Sequence, residues 1–139
     1  DLESKNVELD YSNLVTQDTM IIADPEQMKR VINNIISNSV KYMDKPKGKI
    51  DIRLLDEVDS VRIEIEDNGK GIAAKDLPLI FERFYRTDAS RNSSQGGSGI
   101  GLSIVKKIIE DHGGYIWATS KEGEGTCMHF VIRKYQGHE

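Results

Sequence analysis

Residues 96–102 read Gly-Gly-Ser-Gly-Ile-Gly-Leu and run straight into apolar residues at helical spacing, Ile100, Ile104, Val105, Ile108 and Ile109. A glycine-rich turn feeding a helix is suited to an anion. The first N–H groups of the helix lack partners, its dipole adds partial positive charge, and bare glycines let an oxygen-rich ligand reach the main chain. The chemistry to expect is phosphate binding. Two familiar phosphate loops are excluded by spacing. A dinucleotide fingerprint based on Gly97 and Gly99 needs a third glycine where Leu102 stands, and a P-loop needs a lysine directly after Gly101, which Leu102 again replaces.

A second group of chemistry-bearing residues lies upstream. At about 100° per helical residue, Asn34, Asn38 and Lys41 fall within roughly 60° of one another, on a stripe away from the apolar face. Two amide carbonyls and a cation in line suit a hydrated Mg²⁺ carrying phosphates; a plain solvated face is the alternative. Asparagine disfavours helix, and Asn33, Asn34, Asn38 and Ser39 accumulate a propensity cost that a purely structural helix would avoid. A third group, Asp67-Asn68-Gly69-Lys70-Gly71-Ile72, follows a strand-like run ending at Glu66. It reads as a turn. It also places a carboxylate acceptor at a cleft mouth with room for a flat group against the backbone, and an adenine amino group would fit there.

The elements that must position these groups follow from periodicity. Lys5–Tyr11 and Thr19–Ala23 read as short strands separated by a turn at Ser12-Asn13. Asp24-Pro25 starts a helix whose apolar face is Met28, Val31, Ile32, Ile35, Ile36, Val40 and Met43. Ile50, Ile52 and Leu54, then Val61, Ile63 and Ile65, alternate with polar residues as a hairpin with one apolar face. Leu77, Ile80, Phe81 and Phe84 suggest a short helix, and residues 87–97 are polar, aperiodic and loop-like. The glycine-started helix stops at His112-Gly113-Gly114, and Tyr115–Ser120 and Thr126–Lys134 close the chain as strands around Gly123-Glu124-Gly125. The expected fold is α+β: a two-layer α/β sandwich with a mostly antiparallel mixed sheet and about three helices on one face.

Composition narrows the function classes. The 139 residues suffice for one domain with a real core, with 37% hydrophobic and 30% charged residues. The net charge of −4, with both signs interspersed, disfavours a nucleic-acid partner. No apolar run is long enough to span a membrane. A lone cysteine, Cys127, forms no internal disulfide, and its apolar surroundings in sequence suggest a buried structural thiol in a reducing compartment.

Together the polar groups form a pattern. Residues 34–42, Asn-Ile-Ile-Ser-Asn-Ser-Val-Lys-Tyr, resemble the N box of sensor histidine kinases, and Asp67–Ile72 resemble their G1 box. Phe81-Glu82-Arg83-Phe84-Tyr85-Arg86 resembles their F box, and Gly97-Ser98-Gly99-Ile100-Gly101-Leu102 their G2 box. The order matches, and the resemblance extends through His112-Gly113-Gly114 and Gly125-Thr126. The wider group is the Bergerat-type ATP-binding fold shared with Hsp90, type II topoisomerases and MutL.

The resemblance implies an ATP and Mg²⁺ site in a protein-histidine kinase of a two-component system. By that likeness Asn38 holds Mg²⁺, Asn34 and Lys41 face the phosphates, and Tyr42 walls the nucleotide pocket. Asp67 accepts from the adenine amino group, Gly69 and Gly71 give the base access, and Ile72 and Thr126 belong to the same ATP site. Tyr85 and Arg86 approach the nucleotide, Gly97, Gly99 and Gly101 form the hinge of an ATP lid, and Ile100 and Leu102 beside them belong to the ATP site. Lys70 departs from the pattern, since proline or an aliphatic residue is common there, and its effect depends on its distance from the nucleotide. None of His112, His129 and His138 sits on a helical stretch with the acidic neighbour and downstream proline of a phosphoacceptor box, and Asp111-His112 runs into Gly113-Gly114, which makes it a helix end. The acceptor histidine is therefore expected on dimerisation helices upstream of Asp1, which, with a response regulator, would be the partners. A cytoplasmic domain of a membrane-anchored sensor kinase, itself touching neither membrane nor nucleic acid, is the implied setting. An anti-sigma-factor serine kinase, an ATPase clamp and a regulatory nucleotide binder are the alternatives. The F box and short loop argue against the clamp, and intact Asn38, Asp67 and glycines against the last.

Overall fold

A computed structural model describes residues 6–15, 19–83 and 101–135. Five strands form one sheet in the order β1-β2-β3-β5-β4, where β1 is Val7–Asn13, β2 Gly48–Asp56, β3 Ser60–Asp67, β4 Tyr115–Lys121 and β5 Gly125–Arg133. All neighbours pair antiparallel except β1 and β2, which run parallel and are joined by a crossover through α1, Pro25–Lys41. A second helix, α2, spans Gly101–Asp111.

Local chemistry explains the helix boundaries. The Asp24 carboxylate accepts from the Glu26 and Gln27 N–H groups at 2.9 and 3.4 Å, with Pro25 in the first turn. At the end of α2, Gly113 takes φ +78°, and the Gly114 N–H bonds the Ile109 carbonyl at 3.0 Å. His112 ties the two helices together: its Nδ1 donates to the Ile108 carbonyl at 2.7 Å while its Nε2 accepts the Asp24 N–H at 3.1 Å. Both ring nitrogens are thereby used by the fold.

The core lies between the helices and one face of the sheet. Val31 and Ile35 of α1 and Val105, Ile108 and Ile109 of α2 cover Ile50, Ile63, Ile65, Met128, Phe130 and Ile132. Register makes this face continuous, since Ile63 is opposite Phe130 and Ile65 opposite Met128.

The sequence expectations need three corrections. Thr19–Ala23 is not a strand: Ile21 makes a single bridge to Lys134, and its backbone bonds among the described residues, Ile22 N–H to the Arg133 carbonyl and Tyr135 N–H to the Met20 carbonyl, reach only the end of β5 and its short extension. Ser12 does not start a turn but stays in β1 opposite Arg53, and the turn comes after Asn13, whose side chain accepts the Val15 N–H at 2.9 Å. The third helix expected around residue 77 is, among the described residues, only the 3₁₀ turn Leu77–Leu79, consistent with Pro78 inside it. The remaining elements stand within a residue or two of their expected bounds.

Candidate nucleotide site

Asp67 ends β3 between Ile50 of β2 and Thr126 of β5. Its Oδ1 accepts the Gly69 N–H at 2.8 Å and the Thr126 N–H at 3.3 Å, and the Ser39 hydroxyl of α1 also bonds the carboxylate. Burial pushes the Asp67 carboxyl above its usual range; those three donors oppose the shift, and nearby Glu66 adds to it. The side chain is thus a partly desolvated acceptor held in one orientation at the sheet's end.

The turn after Asp67 is clamped on both sides. The Lys70 N–H bonds the Tyr42 carbonyl at 3.2 Å, and its own carbonyl accepts the Gly123 N–H at 2.7 Å. Side chains are excluded beside it, since a Cβ on Gly69 would sit 2.9 Å from the Tyr42 carbonyl oxygen and one on Gly71 2.4 Å from that of Lys121. Ser120 completes the clamp: its hydroxyl accepts the Ile72 N–H and donates to the Gly125 carbonyl, both at 2.8 Å, and meets the Thr126 hydroxyl at 2.9 Å. Asn68 has a structural task, extending the β2–β3 ladder through Lys49 N–H at 2.7 Å and the Lys47 carbonyl at 3.1 Å.

One cleft collects these groups. Asn38 of α1 and Tyr42 just past its end, Asp67 at the end of β3, Gly71 and Ile72 from the turn, Leu102 from the start of α2 and Thr126 from β5 line it together. Sequence reasoning missed Ile35, Ser39, Ile80 and Met128, which also line it. Ile35 and Ile80 stand at apolar helical spacing and Met128 in a strand, so all three read as core, while Ser39 lies within residues 34–42 without a role of its own; only their position at the core's open end marks them. Asn34, Lys41, Gly69 and Gly101 flank the cleft without lining it. Lys41 lies over the Tyr42 ring at 5.2 Å from its centroid. A Cβ on Gly101 would meet nothing within 4 Å, so packing does not require glycine there. Tyr85, Arg86, Gly97, Gly99, Ile100 and the lid expected at 87–97 lie outside the described residues.

For Mg²⁺ the donor set fits. The amides of Asn34 and Asn38 have no hydrogen-bond partner among the described residues, stand one turn apart on α1, and offer the hard carbonyl oxygens that Mg²⁺ takes alongside water and phosphate.

A second cluster occupies the sheet face away from the helices, where Arg53, Glu64, His129 and Trp117 stand opposite one another across β2, β3, β5 and β4. His129 Nδ1 meets Glu64 at 3.0 Å, its Nε2 meets the Thr119 hydroxyl at 2.9 Å, and its ring stacks on Trp117 at 5.0 Å. Glu64, Cys127 and His129 bring carboxylate, thiol and imidazole within 4.8 Å of one another. No metal is assigned there, because the Arg53 guanidinium, 3.1 Å from Glu64 and 3.9 Å from the Cys127 sulfur, already supplies the cation. Burial and the carboxylates of Glu64 and Glu66 push the Cys127 thiol up to about 12, so it stays protonated and a poor ligand. Cys127 is thus buried as expected, but in a polar cluster rather than an apolar one.

The cluster has a testable effect on stability. Burial alone pushes the Glu64 carboxyl up, but hydrogen bonds from Arg53 and His129 outweigh it and hold the group below the usual value of 4.5. A folded-state pKa below the unfolded one gives stability that is present above the unfolded value and lost as pH falls through the folded one. Glu64→Gln is therefore expected to cost about 1 to 2 kcal/mol at pH 7. Urea denaturation along a series from pH 7 to 3.5 should show the gap to wild type closing as the carboxyl protonates.

Comparison with known proteins shows the family of the fold. Residues 23–136 match the family of histidine kinase-, DNA gyrase B- and HSP90-like ATPases. The chain is 40% identical over 123 residues to the sensor histidine kinase WalK of Bacillus subtilis, covering 86% of this chain and 20% of the relative. It is also 40% identical over 110 residues to the WalK sensor kinase of Staphylococcus aureus, covering 78% of this chain and 26% of that protein. It thus spans about a fifth to a quarter of these relatives' length. Among solved structures, the mycobacterial sensor histidine kinase MprB superposes with a TM-score of 0.81 at 27% identity, covering 96% of this chain and 88% of the other. The catalytic domain of histidine kinase ThkA superposes at 0.78 with 31% identity, covering 95% and 83%. The same kinase, solved with its response regulator TrrA, matches at 0.75 and 29%, covering 96% of this chain and 36% of that one. No helix among the described residues is long and apolar enough to cross a membrane. With the motif order, the five-stranded sheet and the cleft at its end all in agreement, the chain belongs to the histidine kinase-, DNA gyrase B- and HSP90-like ATPase family.

Proposed function

We propose that the chain is the Mg-ATP-binding catalytic domain of a two-component sensor histidine kinase, donating the γ-phosphoryl group to a histidine on separate dimerisation helices. The carrying observation is that Asn38, Asp67 and Leu102, from three motifs far apart in sequence, line one cleft. Asp67 accepts the adenine amino group, against a turn kept flat by Gly69 and Gly71. The phosphates run toward α1, where Asn38 holds Mg²⁺ and Asn34 and Lys41 face the phosphates. When bound, Mg²⁺ neutralises phosphate charge during in-line transfer. The chain's residues bind and orient the donor, and the helices bearing the acceptor bring the nucleophile. A response regulator then takes the phosphoryl group from the complete kinase, on the pattern of the relatives named above. A cytoplasmic setting follows from that chemistry.

Calorimetric titration with ATP and GTP, with and without Mg²⁺, tests the reading. ATP should bind well and GTP poorly, because guanine presents a carbonyl where adenine presents its amino group. Asn38→Ala should abolish the gain from Mg²⁺; equal affinity of the variant and wild type would remove the metal assignment. Incubated with γ-labelled ATP, the chain should take up no stable label, since His112 and His129 have both ring nitrogens engaged and His138 lacks the sequence context of a phosphoacceptor box. Label that survives acid would instead favour the serine-kinase alternative.

A further inference from the structure

The Gly69-Lys70-Gly71 turn carries one side chain, because glycine is required on either side by the backbone of Tyr42 and Lys121. That side chain lines the cleft. Its ammonium lies 5.5 Å from the centroid of the Tyr42 ring, and Lys41 lies 5.2 Å from the same centroid. Neither cation is ion-paired with a described residue. The contrast with Lys45 is informative: that ammonium is met by Asp44 at 3.0 Å and by the Gly69 carbonyl at 3.0 Å. The nearest cleft carboxylate, Asp67, is engaged by Gly69, Thr126 and Ser39 instead. Two ammonium groups without a described counter-charge thus stand near one ring at the cleft, and an anionic ligand there gains from both.

We infer that Lys70 is a second phosphate-binding cation, acting with Lys41 beside the Tyr42 ring, so that affinity in this cleft depends strongly on the ligand's phosphate charge. The inference rests on the nucleotide reading above and adds a specificity residue to it. The Lys70 backbone is held by Tyr42 on one side and Gly123 on the other, so the side chain swings from a fixed root. Its flexible stem lets the ammonium leave the ring face for a phosphate oxygen without moving the turn.

The test is competition of ATP, ADP and adenosine against a fluorescent adenine nucleotide, using wild type, Lys70→Gln and Lys70→Arg at low and high salt. Lys70→Gln should weaken ATP and ADP by about tenfold, leave adenosine within about twofold, and flatten the salt dependence of ATP binding. Lys70→Arg, which keeps the charge, should recover most of the loss. A thermal transition equal to wild type confirms that the variants fold. If Lys70→Gln binds ATP as wild type does, or loses ATP and adenosine equally, the inference is overturned while the nucleotide reading stands. Wild-type protein that binds neither ATP nor adenosine would overturn the nucleotide reading itself.

Discussion

Replacing Asp67 by asparagine is expected to cost ten- to hundredfold in ATP affinity while leaving the fold at least as stable as wild type. The affinity loss corresponds to a charge-assisted hydrogen bond of about 1.5 to 3 kcal/mol. The opposite sign for stability follows from the environment. Burial raises the Asp67 carboxyl above its unfolded value, so at neutral pH the ionised group opposes folding, an effect relieved only as pH falls through the folded pKa. Asparagine has no charge to desolvate, yet its carbonyl still accepts the N–H groups of Gly69 and Thr126. Parallel urea denaturation and ATP calorimetry at pH 7 check both halves. A variant that loses stability and affinity together would show the carboxylate to be a structural anchor, not an acceptor kept for a ligand.

Gly125→Ala is expected to damage fold and site together. A Cβ there would stand 2.0 Å from the Asp67 carbonyl oxygen and 2.9 Å from its carbonyl carbon, at a φ of +134° that L side chains rarely adopt. Strain and overlap together should cost about 3 kcal/mol or more. Because β5 pairs with β3 at this point, relief comes only by pushing Asp67 away from Thr126, so ATP affinity should fall as well. Gly123→Ala is the control. It shares a positive φ of +84° but meets nothing within 4 Å, so only the local conformational cost of about 1 to 2 kcal/mol applies and ATP affinity should persist. Equal stability of the two variants would contradict the close approach of β5 to β3.

How much of this was legible in advance depends on the distance over which each feature is encoded. The α1 face through Val31 and Ile35, the β2–β3 hairpin and the Asp24 cap are written within a few residues, and each formed where its pattern stands. The same is true of the identities of Asn38 and Asp67, which the resemblance singled out and the fold brings to one cleft.

Sequence by itself therefore determined the types of the two long helices and of five strands, the apolar face of each, and the polar residues left over for chemistry, because side-chain period and capping are local properties. Only the tertiary structure decided which strand lies beside which. It paired Ile21 with one residue instead of a strand, placed β5 between β3 and β4, and set Cys127 beside Arg53 and Glu64. It also chose Ser39 and Met128 for the cleft wall, and closed the site with bonds from Ser120 to Ile72 and from Thr126 to Asp67, 48 and 59 residues apart. Such contacts have no local signature, because they form only when the sheet register has already been fixed by burial of its apolar face.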